Sequence, residues 1–467
     1  MSDSPTTLFD KIWSAHVVED LGDGLSLLYV DRHLLHDLSG PPALMEVHNR
    51  GLTVGRPGSV VAIPDHLVSS EPGWTASAGV GAAMWDVLAR EARRAGIDLY
   101  ELGQLGQGIV HVSGPELGFV LPGLTVICGD SHTCTNGALG ALAFGVGSSQ
   151  SAQALATNVL ALPRPAQMQI TIAGAVPEGV SAKDVALHLI GRLGTSAGTG
   201  HAVEYTGAAV GSMSMEERFT LCNFTVELGA QYGLIAPDER TISWIAGRPY
   251  APHGDAFDRA AAEWAQMRSD DGAAFARRDT IDASEVAPTV TWGTSPEHAV
   301  AIDGTVPDPS SAPDPQRAQA WQAALDYMDL RAGQSIAGVP VDWVFIGSCA
   351  NSRLSDLRSA AEVVRGRRVA AEVTAWVVPG SEQVRRDAEA EGLDRVFTDA
   401  GFSWRRPGCS MCVAANGDRV PPGRRCVSTS NRNFVGRQGP GARTHLASPA
   451  MAAAAAVEGR LVDVRAL

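Results

Sequence analysis

Val341-Asp342-Trp343-Val344-Phe345-Ile346-Gly347-Ser348-Cys349-Ala350-Asn351-Ser352-Arg353 is the stretch on which the fold turns. Its apolar first half has the length and β-branched content of a buried strand. After Gly347 the spacing becomes helical over 355–365, and a second strand pattern (372–378) and a second helical pattern (382–391) follow. That alternation predicts a parallel α/β unit with its functional groups in the connections. Cys349 then sits just past the carboxyl end of a strand, where open α/β sheets bind their ligands. Further on, Pro407-Gly408-Cys409-Ser410-Met411-Cys412 adds two thiols in what reads as an irregular loop.

Three thiolates leave one place of a tetrahedral set unfilled. Structural zinc or iron–sulfur sites close with four protein ligands, whereas a reactive metal keeps a position open. The cysteines alone leave three readings. One is an open three-cysteine cluster, and another is a zinc site completed by Cys426 or by the Cys128–His132–Cys134 group. The last is a redox pair, disfavoured because a redox Cys-x-x-Cys opens the helix of a compact βαβ unit.

The 467 residues have room for several domains, and 45% hydrophobic with 19% charged residues is ordinary globular composition. Only Lys11 and Lys183 are lysines, so nearly all positive charge is arginine, the better bidentate ligand for carboxylates. A net charge of −14 argues against a general nucleic-acid or membrane surface. Seven cysteines do not form a secreted disulfide framework, and the first residues carry no basic, apolar leader. The expectation is a cytoplasmic protein without membrane spans.

The first third mixes short apolar strands (27–30, 108–111, 124–128) with a helical pattern at 82–95. A composition change near 162–165 suggests a boundary, followed by a strand over 167–172 and a helix that Ser181 can cap. Helical spacing over 215–230 would put Asn223 and Glu227 on one face. The Pro- and Asp-rich 306–316 reads as an interdomain linker, and no internal repeat is visible. Polar groups recur after apolar runs: Asp65-His66 after 60–64, Gly129-Asp130-Ser131-His132-Thr133 after Cys128, and His111 at the end of 109–110. A carboxylate beside an imidazole raises its basicity and fixes its tautomer. Singly, each such histidine is most simply a structural one; three at strand ends point to chemistry. Arg432 and Arg437, in a glycine-containing loop, suit a di- or tricarboxylate.

Together with 29–33, 221–227 and 444–449, these motifs resemble the aconitase superfamily, on the branch of the isopropylmalate dehydratase large subunits. The resemblance spans essentially the whole chain. It implies three α/β/α domains of the aconitase type, at 1–165, 166–300 and 301–467, arranged around a 4Fe–4S cluster and lacking the swivel domain. It further implies that Cys349, Cys409 and Cys412 hold that cluster, one per subunit, with an open fourth iron. His66 with Asp65 would be the acid, while Asp130 with His132 and His111 with Glu227 would form the remaining catalytic pairs. Arg432, Arg437, Ser131, Asn223, Asn351 and Asn431 would line the substrate and cluster. The implied activity interconverts 2- and 3-isopropylmalate by dehydration and rehydration in leucine biosynthesis, with a separate small subunit carrying the swivel domain. An alternative is a paralogue acting on another 2-substituted malate (homoaconitase-, methylmalate- or benzylmalate-type), because Ala350, 148–153 and 69–79 depart from the usual pattern. An RNA-binding regulator and a zinc scaffold are rivals from other classes, the first opposed by the acidic balance.

Overall fold

The computed structural model describes residues 5–73 and 80–467, so the unusual stretch 69–79 lies partly outside the described residues. These residues form two compact units, the first from 5–67, 80–174 and 196–281, the second from 68–73, 175–195 and 282–467.

The first unit is built on a five-stranded, all-parallel sheet in the spatial order Asp98–Leu99, Val60–Ala62, Arg32–Leu35, Thr125–Cys128, Leu142–Gly145. Val60–Ala62 and Thr125–Cys128 are buried along their whole length, which is why they read as unbroken apolar runs rather than alternating ones. The chain winds outward from Arg32–Leu35 to one edge, then restarts on the other side at Thr125–Cys128. A parallel sheet that reverses its winding opens a crevice beyond the carboxyl ends of the two central strands. Helices Gly40–Asn49 and Val80–Ala95 pack with the sheet through Leu35, Leu44, Leu88 and Ala92. A four-stranded sheet (Tyr232–Leu234, His201–Thr206, Ala166–Ala173, Arg277–Asp282) and a three-stranded antiparallel one complete the unit.

The second unit repeats this plan. Its five parallel strands lie in the order Ser403–Trp404, Thr374–Val377, Trp343–Ile346, Arg425–Ser428, Arg443–Leu446, again reversing between the two strands at the centre. Helices Leu354–Val364 and Glu382–Ala390 follow the strands as expected, and Pro449–Glu458 follows the last strand. The α/β class read from the opening stretch is therefore what the chain adopts. The duplicated topology has no counterpart in residue identity.

Three local expectations are corrected. Residues 108–111 are not a strand: Val110–Glu116 is a helix. The Asp65 carboxylate accepts the Val110 N–H at 3.1 Å, so a tertiary cap overrides the β-preference of Ile109-Val110. The helix expected over 215–230 ends at Asn223, and Glu227 lies in the separate 3₁₀ turn Val226–Leu228, so the two share no helical face. The stretch 306–316 holds the 3₁₀ turn Pro309–Ser311 and lies inside the second unit. Among the described residues no helix is long and apolar enough to cross a membrane.

Candidate active site

Each unit carries polar groups at its topological switch point. In the first, the strand Arg32–Leu35 delivers His36-Asp37, Val60–Ala62 leads to Asp65-His66, and Thr125–Cys128 leads to Asp130 and His132. Asp37 is fully buried. Its carboxylate accepts the backbone N–H groups of Asp65 (3.2 Å), His66 (2.9 Å) and Leu67 (2.8 Å), an anionic clamp that fixes the turn presenting His66.

His66 stands between two carboxylates: Nδ1 lies 2.5 Å from Asp65 Oδ1, and Nε2 lies 3.1 Å from Asp130 Oδ2. An imidazole with acceptors on both nitrogens is satisfied only as the doubly protonated cation, so the geometry stores a proton there. His36 stacks on the same ring, with centroids 4.2 Å apart. Burial, and next the neighbouring His66, pull the His36 imidazole down to about 4, and it accepts the Leu38 N–H on Nδ1 as a neutral ring does.

Asp130 is the hub. Besides His66 it touches His132 Nδ1 at 3.3 Å and His111 Nε2 at 3.7 Å, and it caps the turn by accepting the His132 N–H at 2.7 Å. Burial alone raises the Asp130 carboxyl, but hydrogen bonds from His111, His132 and His66 overcome this and hold it well below its ordinary range. Asp65 is lowered in the same way, burial being outweighed by its His66 partner. His132 Nε2 meets Glu227 Oε1 at 2.9 Å. The three separate pairs expected from the sequence are thus one network, with Asp130 at its centre and Glu227 on His132. The Asn136 amide donates to His111 Nδ1 at 3.3 Å, which leaves the His111 proton on Nε2, facing Asp130. Asn223 donates to Thr135 Oγ1 at 2.8 Å behind this network, and Ser131 is exposed beside Asp130. A Cβ at Gly129 would overlap the Ser39 hydroxyl, so only glycine lets the Asp130 turn pack there.

In the second unit Cys349 follows Trp343–Ile346 and Asn431 follows Arg425–Ser428, the two strands flanking the switch point; Cys409 and Cys412 come from the loop after Ser403–Trp404. Gly347 is required because a Cβ there would lie 2.5 Å from the Phe345 ring. Ser348 and Ser410, each beside a cysteine, hold left-handed backbone with φ of 80° and 48°, strain of the kind concentrated at functional sites. Asp418 pins the Cys409–Cys412 turn by accepting from Ser410 Oγ (3.0 Å), Ser70 N–H (3.0 Å) and Ser70 Oγ (2.7 Å).

The three cysteines are free thiols and buried. The Asn431 amide donates to Cys349 Sγ at 3.3 Å while its oxygen lies 3.7 Å from Cys412 Sγ, and Ser348 Oγ lies 3.3 Å from Cys412 Sγ. An amide donor aimed at the Cys349 sulfur, polar oxygens beside the Cys412 sulfur and three thiols on strained turns fit a metal–sulfur group. Cys426, the candidate fourth zinc ligand, is buried within its strand, and burial pushes its thiol far up, which opposes the thiolate a metal needs. Asn351 donates to Asp356 at 3.0 Å. Arg432 and Arg437 are half-buried, and Arg437 Nε has no hydrogen-bond partner among the described residues, as suits a donor kept for an anion.

The sequence reading missed His36, Asp37, Asn136 and Lys183. The rule that picked out Asp65 and Asp130, a polar pair after an apolar strand, also fits His36-Asp37; the other two carry no such signal.

A family model described as the aconitase family (aconitate hydratase) matches residues 10–459. The chain is 58% identical, over 99% of its length and 97% of the relative's, to a Bradyrhizobium diazoefficiens protein named 3-isopropylmalate dehydratase large subunit 1. Among solved structures, an aconitase X of Thermococcus kodakaraensis in its holo form matches with a TM-score of 0.47 and 13% identity, over 87% of this chain and 84% of that one.

Proposed function

The chain belongs to the aconitase family and is a hydro-lyase, and we propose that it is the large subunit of a 3-isopropylmalate dehydratase, acting in leucine biosynthesis with a separate small subunit. The observation that carries this reading is the 58% identity to a relative of that name over virtually the whole of both chains. The division into domains at 1–165, 166–300 and 301–467 belongs to the proposal, supported by each five-stranded sheet falling within one segment.

Cys349, Cys409 and Cys412 would hold the 4Fe–4S cluster, with Asn431 and Ser348 hydrogen-bonding their sulfurs. When bound, that group supplies a Lewis-acidic iron at the leaving hydroxyl. The proton that turns the hydroxyl into water comes from His66, which Asp65 and Asp130 keep charged. Asp130, His132, Glu227 and His111 then hold the released water for re-addition at the neighbouring carbon. Arg432 and Arg437 bind the substrate carboxylates, two separate forks fixing the orientation that stereospecific re-addition demands. Ser131 would line the first unit's group beside Asp130, with Asn223 supporting it from behind, and Asn351 would do the same beside the cysteines of the second unit. The base that takes the carbon-bound proton would come from the small subunit.

The test is turnover of the reconstituted two-subunit complex, followed by ultraviolet absorbance of the alkene product, across isopropylmalate and a panel of other 2-substituted malates. Preference for isopropylmalate supports the assignment; turnover of another malate alone moves the protein to a different pathway, and no turnover of any refutes it.

A further inference from the structure

The chain just past the candidate acid is anchored twice in succession. The Asp37 carboxylate accepts the Leu67 N–H at 2.8 Å. The next residue, Val68, gives its carbonyl to the Asn416 amide at 2.7 Å, and the Ser70 carbonyl accepts the Arg406 N–H at 2.8 Å. Val68–Ser70 is thus a short strap. It belongs to the second unit, whereas His66 and Leu67 belong to the first. All three of its residues are buried, Ser70 wholly.

The strap is held by the loop that carries Cys409 and Cys412, and Asp418 is the fastening. Its Oδ2 accepts from Ser70 N–H (3.0 Å), Ser70 Oγ (2.7 Å), Ser410 Oγ (3.0 Å) and Asn416 Nδ2 (3.2 Å). Its Oδ1 accepts from Ser69 Oγ (3.2 Å) and from Arg405 (3.3 Å). Arg405 lies over the Trp376 ring, 3.8 Å from its centroid, and its Nε donates to Ser70 Oγ at 3.2 Å. The donors thus come from before the two cysteines, between them and after them, as well as from the strap. Only an acceptor on both oxygens satisfies them all, because an asparagine there would turn its own donors on the Arg405 guanidinium or on the hydroxyls. Ser410, between the cysteines, has left-handed backbone with φ of 48°, a conformation that persists where its surroundings enforce it. Its hydroxyl is held by Asp418 and lies 2.9 Å from that of Ser70.

We propose that Asp418 is a positioning residue that locks the strap Val68–Ser70 to the Cys409–Cys412 turn, so that filling the cysteine site and seating the chain after His66 are coupled. This rests on the cluster reading above. A metal–sulfur group fixes the turn through two thiols, and the turn fixes Asp418 and the strap. By reciprocity, a loosened strap weakens the hold on the group.

The experiment uses the full chain, before and after anaerobic reconstitution with iron and sulfide, as parent, S70A and D418N. Hydrogen exchange of the peptide containing Val68–Ser70 is compared with that of the strand Val60–Ala62, and iron loss to a chelator is timed. In the parent, loading should slow exchange in the strap about fivefold or more and leave the reference strand unmoved. That slowing should be lost in D418N and at least about halved in S70A, which keeps the Ser70 N–H, and iron should leave D418N about tenfold faster. A merely structural role would raise exchange alike in the empty and loaded chains and leave the slowing intact. If D418N does not fold, S70A decides: a reduced slowing supports the proposal, and parental slowing overturns it. A loaded parent whose strap exchanges as in the empty chain also overturns it, with the cluster reading untouched. A parent that takes up no iron and sulfide refutes the cluster reading, and the proposal with it.

Discussion

Asp130→Asn preserves shape while removing the charge that three imidazoles share. Asp130 Oδ2 lies 3.1 Å from His66 Nε2, and Oδ1 lies 3.3 and 3.7 Å from His132 and His111. An asparagine still accepts the His132 N–H through one oxygen, but its amide turns a donor toward His66. The imidazolium between Asp65 and Asp130 then loses one charge-assisted hydrogen bond, about 1.5–3 kcal/mol. At about 1.4 kcal/mol per pH unit, that is about one to two pH units of proton affinity. Because the reaction needs His66 protonated, activity falls as pH rises through its titration, and the variant's alkaline limb should move down by that amount. Above the limb, kcat/KM should drop about 10- to 100-fold. The assay is the pH profile of kcat/KM for dehydration by the two-subunit complex, with folding checked by circular dichroism. A variant with lower activity but an unmoved alkaline limb refutes the role of Asp130 in keeping the acid charged.

Asp37→Asn should destabilise the first unit by about 2–4 kcal/mol, since a buried anion clamping three N–H groups is replaced by an amide that turns a donor on one of them; denaturant unfolding reads this, and an unchanged midpoint contradicts the clamp. Stability should also fall with acid. The buried imidazoles of His33 and His445 are pulled down to about 3, and those of His36 and His298 to about 4, chiefly by burial. An unfolded chain takes up these protons near pH 6.5 while the folded one refuses them. The stabilisation is therefore complete above that pH and is lost as pH falls toward the folded values, roughly 2 kcal/mol per histidine by pH 5. Thermal unfolding between pH 7.5 and 5 checks it, and a flat profile contradicts it.

Much of this was legible in the sequence because strand ends announce themselves. A buried parallel strand is an apolar run, and a glycine and a polar residue after it mark the turn where ligands bind. Cys349 and Asp130 obey that grammar, and Asp65 follows its run after Pro64 instead of a glycine. What stayed hidden was set by contacts distant in sequence. The Asp65 carboxylate caps the helix Val110–Glu116 across 45 positions, turning a β-branched run into a helix. The helix Met215–Asn223 stops where Asn223 turns its amide to Thr135 and Thr225 shares a hydrogen bond with Tyr205, which carries Glu227 onto His132. Lys183 was visible only as a rare residue, because nothing in 181–184 reveals that its acceptors lie at Asn351, Thr429 and Ser430. The duplicated sheet order was invisible for the converse reason: topology needs the apolar pattern and the connection lengths, and leaves residue identity free.

The most direct test of the central claim is the iron and acid-labile sulfide content of the anaerobically reconstituted chain beside C349S, C409S and C412S, with paramagnetic resonance before and after brief exposure to air. The account predicts four irons and four sulfides per parent chain, loss of a single iron on oxidation with a new paramagnetic signal, and failure of each serine variant to hold the cluster. A parent that binds zinc and no sulfide, or a cluster indifferent to Cys349→Ser, would contradict it.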